Sequence, residues 1–376
     1  MMQSISVSAM MIISLLMVDH VVGFVHVIPY RKLSGRPWGV GLPAVEESVD
    51  APVGVHAIRA PLKFVGPYPA LALTFPDLAT SSQRSKNMTG ISLDFVLDTA
   101  ANVNTINAQV AEELELEEVG QALPGLGTAG LISGGTTYSL GDAQLEGVGN
   151  FTFMTNLTAS ALPVASPATA GLLSLAFFQS IDGVDLDWDR NPESIHSITF
   201  YDDFDATVVK DRQKLTIDRI PITALPSVTL EINGVPMKAL LDTGSPVTVL
   251  NSAAAEKAGV HTVELPPASS NPLVAMKNRA AEAQAAARGE LLQVLDVNRN
   301  KINLLRTVDR CHVTTPAEDG CTIDFGKGHV FVGDLPGLAA LSGIGVDAPP
   351  AIVLGLDVLR QKPRMLVRAA HNEVWF

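Results

Sequence analysis

236-PMKALLDTGSPVTVLNSAAAEKAGV-260 carries an acidic residue, Asp242, at the end of an apolar run, followed by Thr-Gly-Ser and then by a second apolar run. Burying a carboxylate is costly unless hydrogen bonds or a partner compensate for the lost water. In an ordinary turn, Asp242 would only bond to nearby backbone N–H groups. Apolar strands on both sides favour the other interpretation, in which the protein interior holds this carboxylate for a chemical function.

A second copy of this segment lies earlier in the chain. The stretch 93-LDFVLDTAANVNTINAQVAEELEL-116 aligns without gaps on 237–260, so that Asp98 falls on Asp242 and Thr99 on Thr243. Four further pairs of segments recur in the same order: 59-RAPL-62 with 219-RIPI-222, 69-PALALTF-75 with 226-PSVTLEI-232, 171-GLLSLAFF-178 with 352-IVLGLDVL-359, and 196-HSITFY-201 with 371-HNEVWF-376. Internal repetition of this kind predicts a duplicated lobe. We place the lobes at 56–210 and 211–376.

The pattern inside each lobe predicts an all-β fold with short helices. Residues 226–232 and 235–241 read as two strands joined by an Asn-Gly turn, which is a strong hairpin signal. A third strand and a short amphipathic helix are predicted after each Asp-Thr, with the helices over 108–114 and 252–258. The Ala-, Glu- and Arg-rich segment 275–295 predicts a helix without a counterpart in the first lobe, so we expect a helical insertion at about 273–295.

Duplication gives the two aspartates a joint role. If homologous lobes pack about a pseudo-two-fold axis, equivalent loops meet there and Asp98 faces Asp242. Two carboxylates in contact do not both ionise readily, so they share a proton. Such a pair can hold a water, take its proton as it attacks a carbonyl, and protonate the leaving nitrogen.

The segment 226-PSVTLEINGVPMKALLDTGSPVTVLNSAAAEKAGV-260 resembles the retropepsin-like aspartyl proteases, which are the best-known proteins with a proton-sharing aspartate pair. In that family a strand, an Asn-Gly turn, a strand, Asp-Thr-Gly-Ser/Ala and a short helix follow in this order. The later segment 352-IVLGLDVL-359 resembles the apolar-apolar-Gly stretch that passes beside the catalytic loop. Two fused copies resemble the bilobal, pepsin-like β-barrel arrangement, with a cleft between the lobes.

The resemblance implies a role for each loop residue. Thr99 and Thr243 would brace the loops across the axis, and Ser245 would hydrogen-bond the outer oxygen of its aspartate. Ala101 replaces that serine in the first lobe. The implied set is the catalytic pair Asp98 and Asp242, the bracing Thr99 and Thr243, the backbone N–H donors of Ala100 and Gly244, and the hydroxyl of Ser245.

Two further departures from the family pattern fall in the first lobe. Ala100 stands where the second lobe has Gly244, and a Cβ there demands a backbone conformation that glycine leaves free. Ser174 replaces Gly355.

A flap, meaning a hairpin that closes over substrate, is also implied. In the first lobe we expect it at 130–147, with a turn at Gly134-Gly135 and Tyr138 reaching into the cleft; an ordinary surface hairpin is the alternative. In the second lobe the segment 326–338 is the expected equivalent.

Composition excludes several other functions. A formal net charge of −13 without a Lys/Arg cluster argues against a nucleic-acid partner. The His and Cys residues have no tight metal-ligand spacing, so no metal is expected. The chain also lacks Gly-x-Ser-x-Gly and a phosphate-binding loop, and we expect no cofactor.

The N-terminal residues 1–55 read as a leader and linker. The apolar run 5-ISVSAMMIISLLMV-18 has the length of a signal-peptide core. It predicts delivery to the secretory pathway or the extracellular space; an acid-poor, basic stretch after it is compatible with a bipartite plastid signal. A retained leader would serve as a membrane anchor. Cys311 and Cys321 would form a disulfide in an oxidising lumen or remain thiols.

We therefore expect an aspartic endopeptidase that acts as a monomer on peptide or protein substrates. The alternative is a catalytically inactive relative that binds peptides in the interlobe cleft, motivated by Ala100, Ala101 and Ser174. In a third arrangement, the second lobe pairs with a second copy of itself.

Overall fold

The computed structural model of the protein describes residues 57–86, 88–122, 125–127, 130–132, 134–162, 169–189, 194–220, 223–267, 269–295, 301–338 and 349–376. The predicted leader at 1–55 lies outside these residues. Within them, no helix combines the length and the apolar character needed to cross a membrane.

The first lobe is built around an eight-stranded sheet with the order β2-β3-β4-β11-β5-β10-β9-β6, and a further pairing of β3 with β9 brings the sheet round on itself. Its elements are β1 (Ala57–Pro61), β2 (Lys63–Val65), β3 (Tyr68–Phe75), α1 (Ser81–Arg84), β4 (Ile91–Leu97), β5 (Thr105–Asn107), α2 (Ala108–Glu113), β6 (Glu117–Gln121), β7 (Gly125–Gly127), β8 (Gly130–Ile132), β9 (Thr136–Leu145), β10 (Met154–Leu162), β11 (Gly171–Leu173), α3 (Leu175–Gln179), β12 (Gly183–Asp187) and β13 (Ser197–Tyr201).

The second lobe repeats this plan in a ten-stranded sheet with the main path β19-β20-β23-β18-β24-β17-β16-β21-β22, and β15 joins it at β16. Its elements are β14 (Lys214–Thr216), β15 (Asp218–Arg219), β16 (Pro226–Ile232), β17 (Val235–Leu241), β18 (Val249–Leu250), α4 (Ser252–Lys257), α5 (Pro272–Ala287), β19 (Leu291–Leu295), β20 (Lys301–Arg306), β21 (Cys311–Pro316), β22 (Thr322–Gly328), β23 (Phe331–Val332), β24 (Ala351–Leu354), α6 (Leu356–Leu359), β25 (Arg364–Arg368) and β26 (Glu373–Trp375).

A third sheet joins the lobes. Its order is β1-β13-β12-β25-β26-β14, so three strands of the first lobe continue into three of the second. The junction is the antiparallel pair β12–β25, in which Val184 lies opposite Val367. The all-β, two-lobed architecture expected from the sequence is confirmed.

The aspartate-bearing strands occupy equivalent places in the two lobes. The Asn233-Gly234 turn between β16 and β17 has φ angles of 53° and 80°, as the predicted two-residue hairpin requires. After each Asp-Thr loop, a short strand leads into a helix whose N-cap is an asparagine: Asn107 before α2 and Asn251 before α4. The asparagine side chain accepts a backbone N–H in both cases, which stabilises the start of the helix.

The predicted helical insertion is shorter than the sequence suggested. Helix α5 ends at Ala287, and Gly289 follows in a left-handed conformation with a φ of 65°. Residues 291–295, which we assigned to the helix, instead form β19, which pairs with β20. Its apolar side chains pack in a sheet, and this tertiary packing outweighs the helical tendency of the segment.

The two cysteines do not form a disulfide. Cys311 and Cys321 are free thiols, the first buried and the second exposed. In the β21–β22 hairpin, Cys311 lies opposite Gly328, whereas Cys321 directly precedes Thr322, which pairs with Pro316 at the other end. The two thiols therefore sit at opposite ends of the hairpin, beyond the reach of a disulfide.

A buried ion cluster fixes the junction sheet. The Asp185 side chain is fully buried in β12. Arg212 donates to both of its carboxylate oxygens, at 2.9 and 2.7 Å, and Arg364 donates to Oδ2 at 2.7 Å. Both arginines belong to the second lobe, so this cluster ties one lobe to the other.

We predict that Asp185→Asn lowers the free energy of unfolding by about 3–5 kcal/mol, because it leaves two arginines without their buried counter-charge. Urea unfolding followed by circular dichroism measures this. The matched control is Asp218→Asn, since Asp218 pairs with Lys238 where both side chains are about 60 % exposed, and we expect little change there. Equal effects of the two substitutions would contradict the role given to Asp185.

Candidate active site

The two Asp-Thr loops meet at the junction of the lobes. Asp98 follows β4 directly, and Asp242 follows β17. The backbone N–H of Asp98 donates to the Leu173 carbonyl at 2.9 Å, and that of Asp242 donates to the Leu354 carbonyl at 3.1 Å. The strands β11 and β24 thus hold the two loops in the same way. Both aspartates are buried, with exposures of 1 % and 4 %.

Two threonines lock the loops together across the pseudo-two-fold axis. The Thr99 N–H donates to the Thr243 hydroxyl at 3.0 Å, and the Thr243 N–H donates to the Thr99 hydroxyl at 3.1 Å. Each hydroxyl in turn donates to a carbonyl of the other lobe, Thr99 to Leu241 at 2.8 Å and Thr243 to Leu97 at 2.7 Å. The contacts between Thr99 and Thr243 are those that the resemblance implied.

The carboxyl groups receive equivalent backbone hydrogen bonds. The Ala100 N–H donates to Oδ1 of Asp98, and the Gly244 N–H donates to Oδ1 of Asp242, each at 2.8 Å. The Ser245 hydroxyl donates to the Val247 carbonyl at 2.8 Å and not to Asp242. The predicted role of that hydroxyl is therefore wrong in this structure. The backbone N–H of Ser245, and not its hydroxyl, interacts with the Asp242 carboxyl and lowers its pKa.

The two carboxyl groups are electrostatically coupled. Burial raises the pKa of Asp98 well above its usual range, and the neighbouring Asp242 raises it further. Burial also raises the pKa of Asp242, to about 7. Oδ2 of Asp98 is buried and receives no hydrogen bond from the described N–H and O–H groups. A proton shared with Asp242 satisfies that oxygen, and the pair therefore keeps one proton after Asp242 ionises at about neutral pH.

The alanine at position 100 does not strain its loop. Ala100 is fully buried, and it is not among the described residues with a positive φ. The expected cost of a Cβ at this position is therefore absent. Its counterpart Gly244 has no such freedom, since a Cβ there would lie 2.5 Å from both Cγ and Oδ2 of Asp98. Glycine is required only on the side where the Asp98 carboxyl approaches.

The serine at position 174 is also accommodated. Its hydroxyl accepts the Ala176 N–H at 3.2 Å as the N-cap of α3, and donates to Asn104 Oδ1 at 3.1 Å. The equivalent Gly355 must stay glycine because a Cβ there would lie 2.4 Å from the Val247 carbonyl oxygen. The first lobe thus replaces a close backbone approach with a side-chain cap.

The predicted flaps differ from the observed hairpins. In the first lobe β9 pairs with β6, and β7 pairs with β8, so Gly134-Gly135 is not the turn of a hairpin over 130–147. Tyr138 lies within β9 opposite Glu118 and Ala159, and packs against the hydrophobic core. In the second lobe, the segment 326–338 is not a hairpin either.

Equivalent pairings identify the second-lobe counterpart of the β6–β9 hairpin. β22 pairs with β21, and β23 pairs with β18 and β20. β10 pairs in parallel with β5, and β23 pairs in parallel with β18, so β10 and β23 are equivalent strands. The next strands in each sheet are β9 and β6 in the first lobe, and β20 and β19 in the second. The β19–β20 hairpin is therefore the counterpart of the β6–β9 hairpin.

Tyr68 is a site residue that the sequence reasoning missed. It is 7 % exposed and begins β3. Burial raises the pKa of its hydroxyl well above the usual value, with further contributions from Asp242 and Asp98. The hairpin pattern carried a signal, because the β3–β4 pairing runs from Ala70 opposite Val96 and Tyr68 begins the strand beside it.

Among the described residues, no three His, Cys, Asp or Glu side chains are grouped as metal ligands. The groups that this site presents are two neighbouring carboxyl groups and the backbone donors around them.

Comparison with known proteins supports this description. A family model described as aspartyl protease matches residues 228–305, which include most of β16, all of β17 and the Asp242 loop. No curated protein matches the chain. Among solved structures, the chain is similar to basic 7S globulin from soybean, with 13 % identity, a TM-score of 0.45, and coverage of 86 % of this chain and 96 % of that one.

The aspartyl protease resemblance predicted from the sequence is confirmed. The matched residues lie in the second lobe, and the first lobe repeats its strand order and its Asp-Thr loop.

We predict that Gly244→Ala destabilises the protein, because its methyl group would overlap the Asp98 carboxyl. Overpacking of this kind costs about 1–3 kcal/mol, measured by urea unfolding. Ala100→Gly should be tolerated, and Gly328→Ala is a control because a Cβ at Gly328 meets no atom within 4 Å. Wild-type stability of Gly244→Ala would contradict the proximity of the two loops.

We also predict a pH-dependent effect of removing both carboxyl charges. Because the folded pKa values are raised, the stability contributed by the protonated pair is fully present below the unfolded pKa of about 4. It is lost as the pH rises through the folded pKa, about 7 for Asp242. Asparagine does not ionise. The melting temperature of the Asp98→Asn/Asp242→Asn variant should therefore rise relative to that of the wild type as the pH increases from 4 to 8.

Differential scanning fluorimetry across this pH range measures that difference. The control is Asp94→Asn, since Asp94 forms a partly exposed ion pair with Lys63. A constant difference between wild type and double variant at all pH values would show that the pair titrates as ordinary aspartates do.

Proposed function

We propose that this protein is an aspartic endopeptidase, with Asp98 and Asp242 as the catalytic dyad. The observation that supports this most strongly is the reciprocal Thr99–Thr243 bonding, which brings two buried, coupled carboxyl groups together within one chain. Backbone donors hold Oδ1 of each aspartate, so both carboxyls have a fixed orientation. Fixed orientation is what general acid–base catalysis requires.

The chemistry follows from one proton and one negative charge on the pair. The ionised carboxylate accepts a proton from a water. At the same time, the oxygen of this water forms a bond to the peptide carbonyl carbon. The protonated carboxyl donates its proton to the carbonyl oxygen, which gives a neutral tetrahedral diol. Proton transfer to the nitrogen then lets the C–N bond break, which releases an acid and an amine. The shared proton is returned to the dyad, and no metal or cofactor takes part.

The raised pKa values favour activity near neutral pH. A dyad with one proton is the active form. Burial raises the pKa at which the first of two protons is lost, to about 7 for Asp242. The acid limb of kcat/KM should therefore lie well above pH 4, where an unperturbed aspartate would put it.

The alternative, a silent peptide-binding relative, rests on Ala101. Ala101 offers Asp98 no hydroxyl, although the Ser245 hydroxyl at the equivalent position donates to the Val247 carbonyl and not to its own aspartate. Its other two motivations are weaker, because Ala100 is unstrained and Ser174 caps α3. We therefore propose an active endopeptidase, in a secretory or plastid compartment as the leader suggests. The cleavage experiment separates this function from that of a silent relative.

We predict that Asp98→Asn and Asp242→Asn each reduce kcat/KM for peptide cleavage by about 10²–10⁴-fold or more, because each removes one partner in proton transfer. A fluorogenic peptide library assayed from pH 4 to 8 measures this. Asp94→Asn, four residues before the dyad aspartate, should keep wild-type activity. Full activity of Asp98→Asn would exclude the dyad, and an inactive wild type that still binds peptides would favour the silent relative.

A further inference from the structure

One peptide unit connects the Asp98 backbone to the side chain of Asn104. This unit joins Leu173, the last residue of β11, to Ser174. Its carbonyl accepts the Asp98 N–H at 2.9 Å, and its N–H donates to Asn104 Oδ1 at 3.0 Å. Because a peptide unit is planar and rigid, a restraint on its N–H also restrains its carbonyl. The Asn104 amide therefore helps to fix the point at which the chain leaves β4 and enters the Asp-Thr loop.

The second lobe contains the same connection. There the peptide unit joins Leu354, the last residue of β24, to Gly355. Its carbonyl accepts the Asp242 N–H at 3.1 Å, and its N–H donates to the Thr248 hydroxyl at 3.0 Å. Thr248 occupies the position of Asn104 in the sequence repeat. Both lobes thus place a side-chain acceptor on the peptide unit that anchors the aspartate.

The two lobes complete this contact with different groups. The Thr248 hydroxyl donates in turn to Asp357 Oδ1 at 2.7 Å. The first lobe has Ala176 at the position of Asp357, and that position offers no carboxylate. Asn104 Oδ1 instead accepts both the N–H and the hydroxyl of Ser174, the latter at 3.1 Å. One amide oxygen in the first lobe takes the place of a hydroxyl and a carboxylate in the second.

The orientation of the Asn104 amide follows from its partners. A backbone N–H only donates, so the amide oxygen faces Ser174. The amide nitrogen lies 3.5 Å from the Thr158 carbonyl oxygen in β10. Ser174 is fully buried, so no water would replace this acceptor if it were removed. An unpaired buried donor is costly, and the end of β11 would shift to pair it again.

We propose that Asn104 is a positioning residue of the dyad, which holds Asp98 in contact with its partner carboxyl through the Leu173–Ser174 peptide unit. This inference rests on the proposed function, since it identifies a support of the same dyad. Without the amide oxygen, the end of β11 shifts, and the loop that is bonded to its last carbonyl shifts with it. The carboxyl pair then loosens, although both carboxyl groups are present.

The test compares Asn104→Val with Asn104→Thr, because these two side chains have the same shape and differ in one hydroxyl. Threonine supplies an acceptor, as Thr248 does in the second lobe, and valine does not. Protein labelled with ¹³C at the aspartate Cγ is titrated by NMR, and Asp98→Asn and Asp242→Asn identify the two signals. Contact between two carboxyls separates their apparent pKa values.

We expect this separation to narrow in Asn104→Val by roughly half to one pH unit, the size of a single hydrogen-bonding interaction. Asn104→Thr should keep most of the separation. Asn104→Ala is a second variant without the acceptor, for use if Asn104→Val folds poorly.

Peptide cleavage gives a second measurement. A loosened dyad leaves the rest of the cleft unchanged, so the KM of Asn104→Val should stay close to that of the wild type. Its kcat should fall by about 10–100-fold, because small displacements of catalytic groups have effects of this size. Asn104→Thr should recover most of the loss.

Asn107→Val is the matched control. Asn107 ends β5, and its side chain also accepts a backbone N–H, that of Gln109 at 3.1 Å. The substitution removes the N-cap of α2, so the melting temperature should fall. Because this side-chain bond leads into α2, the titration of the carboxyl pair and kcat should remain those of the wild type.

The outcomes separate this inference from the proposed function. A narrower separation in Asn104→Val that Asn104→Thr restores would support the role of Asn104. A wild-type titration in Asn104→Val and Asn104→Ala would overturn it, even with a lower melting temperature, because that is the effect of a merely structural residue. Equal changes in the valine and threonine variants would also overturn it. The titration needs no cleavage, so an inactive wild type would refute the endopeptidase while the titration still decides on Asn104.

Discussion

The reciprocal hydrogen bonds between Thr99 and Thr243 are the constraint on which the rest of the site depends. Each threonine takes the backbone N–H of the other and reaches a carbonyl in the opposite lobe, so neither loop can move alone. The junction sheet and the buried Asp185 cluster hold the lobes in the same register at a distance from the site. Two buried carboxylates would otherwise repel each other, and this frame keeps them in contact.

The pair is symmetric in its backbone and asymmetric in its side chains. Ala100 and Gly244 donate equivalent N–H bonds, yet only Gly244 lies where a methyl group would strike a carboxyl. Tyr68 and Leu225 occupy equivalent positions of the sequence repeat with different chemistry. A duplicated fold thus supplies two like carboxyls whose surroundings differ at a few side chains.

The internal repeat predicted the two-lobed fold because it records the duplication directly. The positions that it aligned, such as Asn107 with Asn251, perform the same task as helix caps. Local patterns failed where long-range pairing decided the outcome. Composition favoured a helix over 291–295, but these residues form a strand that pairs with β20. The Gly134-Gly135 turn signal did not reveal that β9 pairs with β6. Neither rotamers, such as that of Ser245, nor cross-strand neighbours, such as Tyr68, can be read from a motif.

The proposed function depends above all on Asp98, which we propose is a working half of the dyad despite the altered Asp-Thr-Ala-Ala loop around it. Isothermal titration calorimetry with a statine-type peptide tests it most directly, because such a ligand imitates the tetrahedral state and binds tightly only to a dyad with one proton. We expect tight binding by the wild type that weakens as the pH rises beyond the dyad's titration, and at least a 100-fold weaker binding by Asp98→Asn. Equal affinity of the wild type and Asp98→Asn would contradict it.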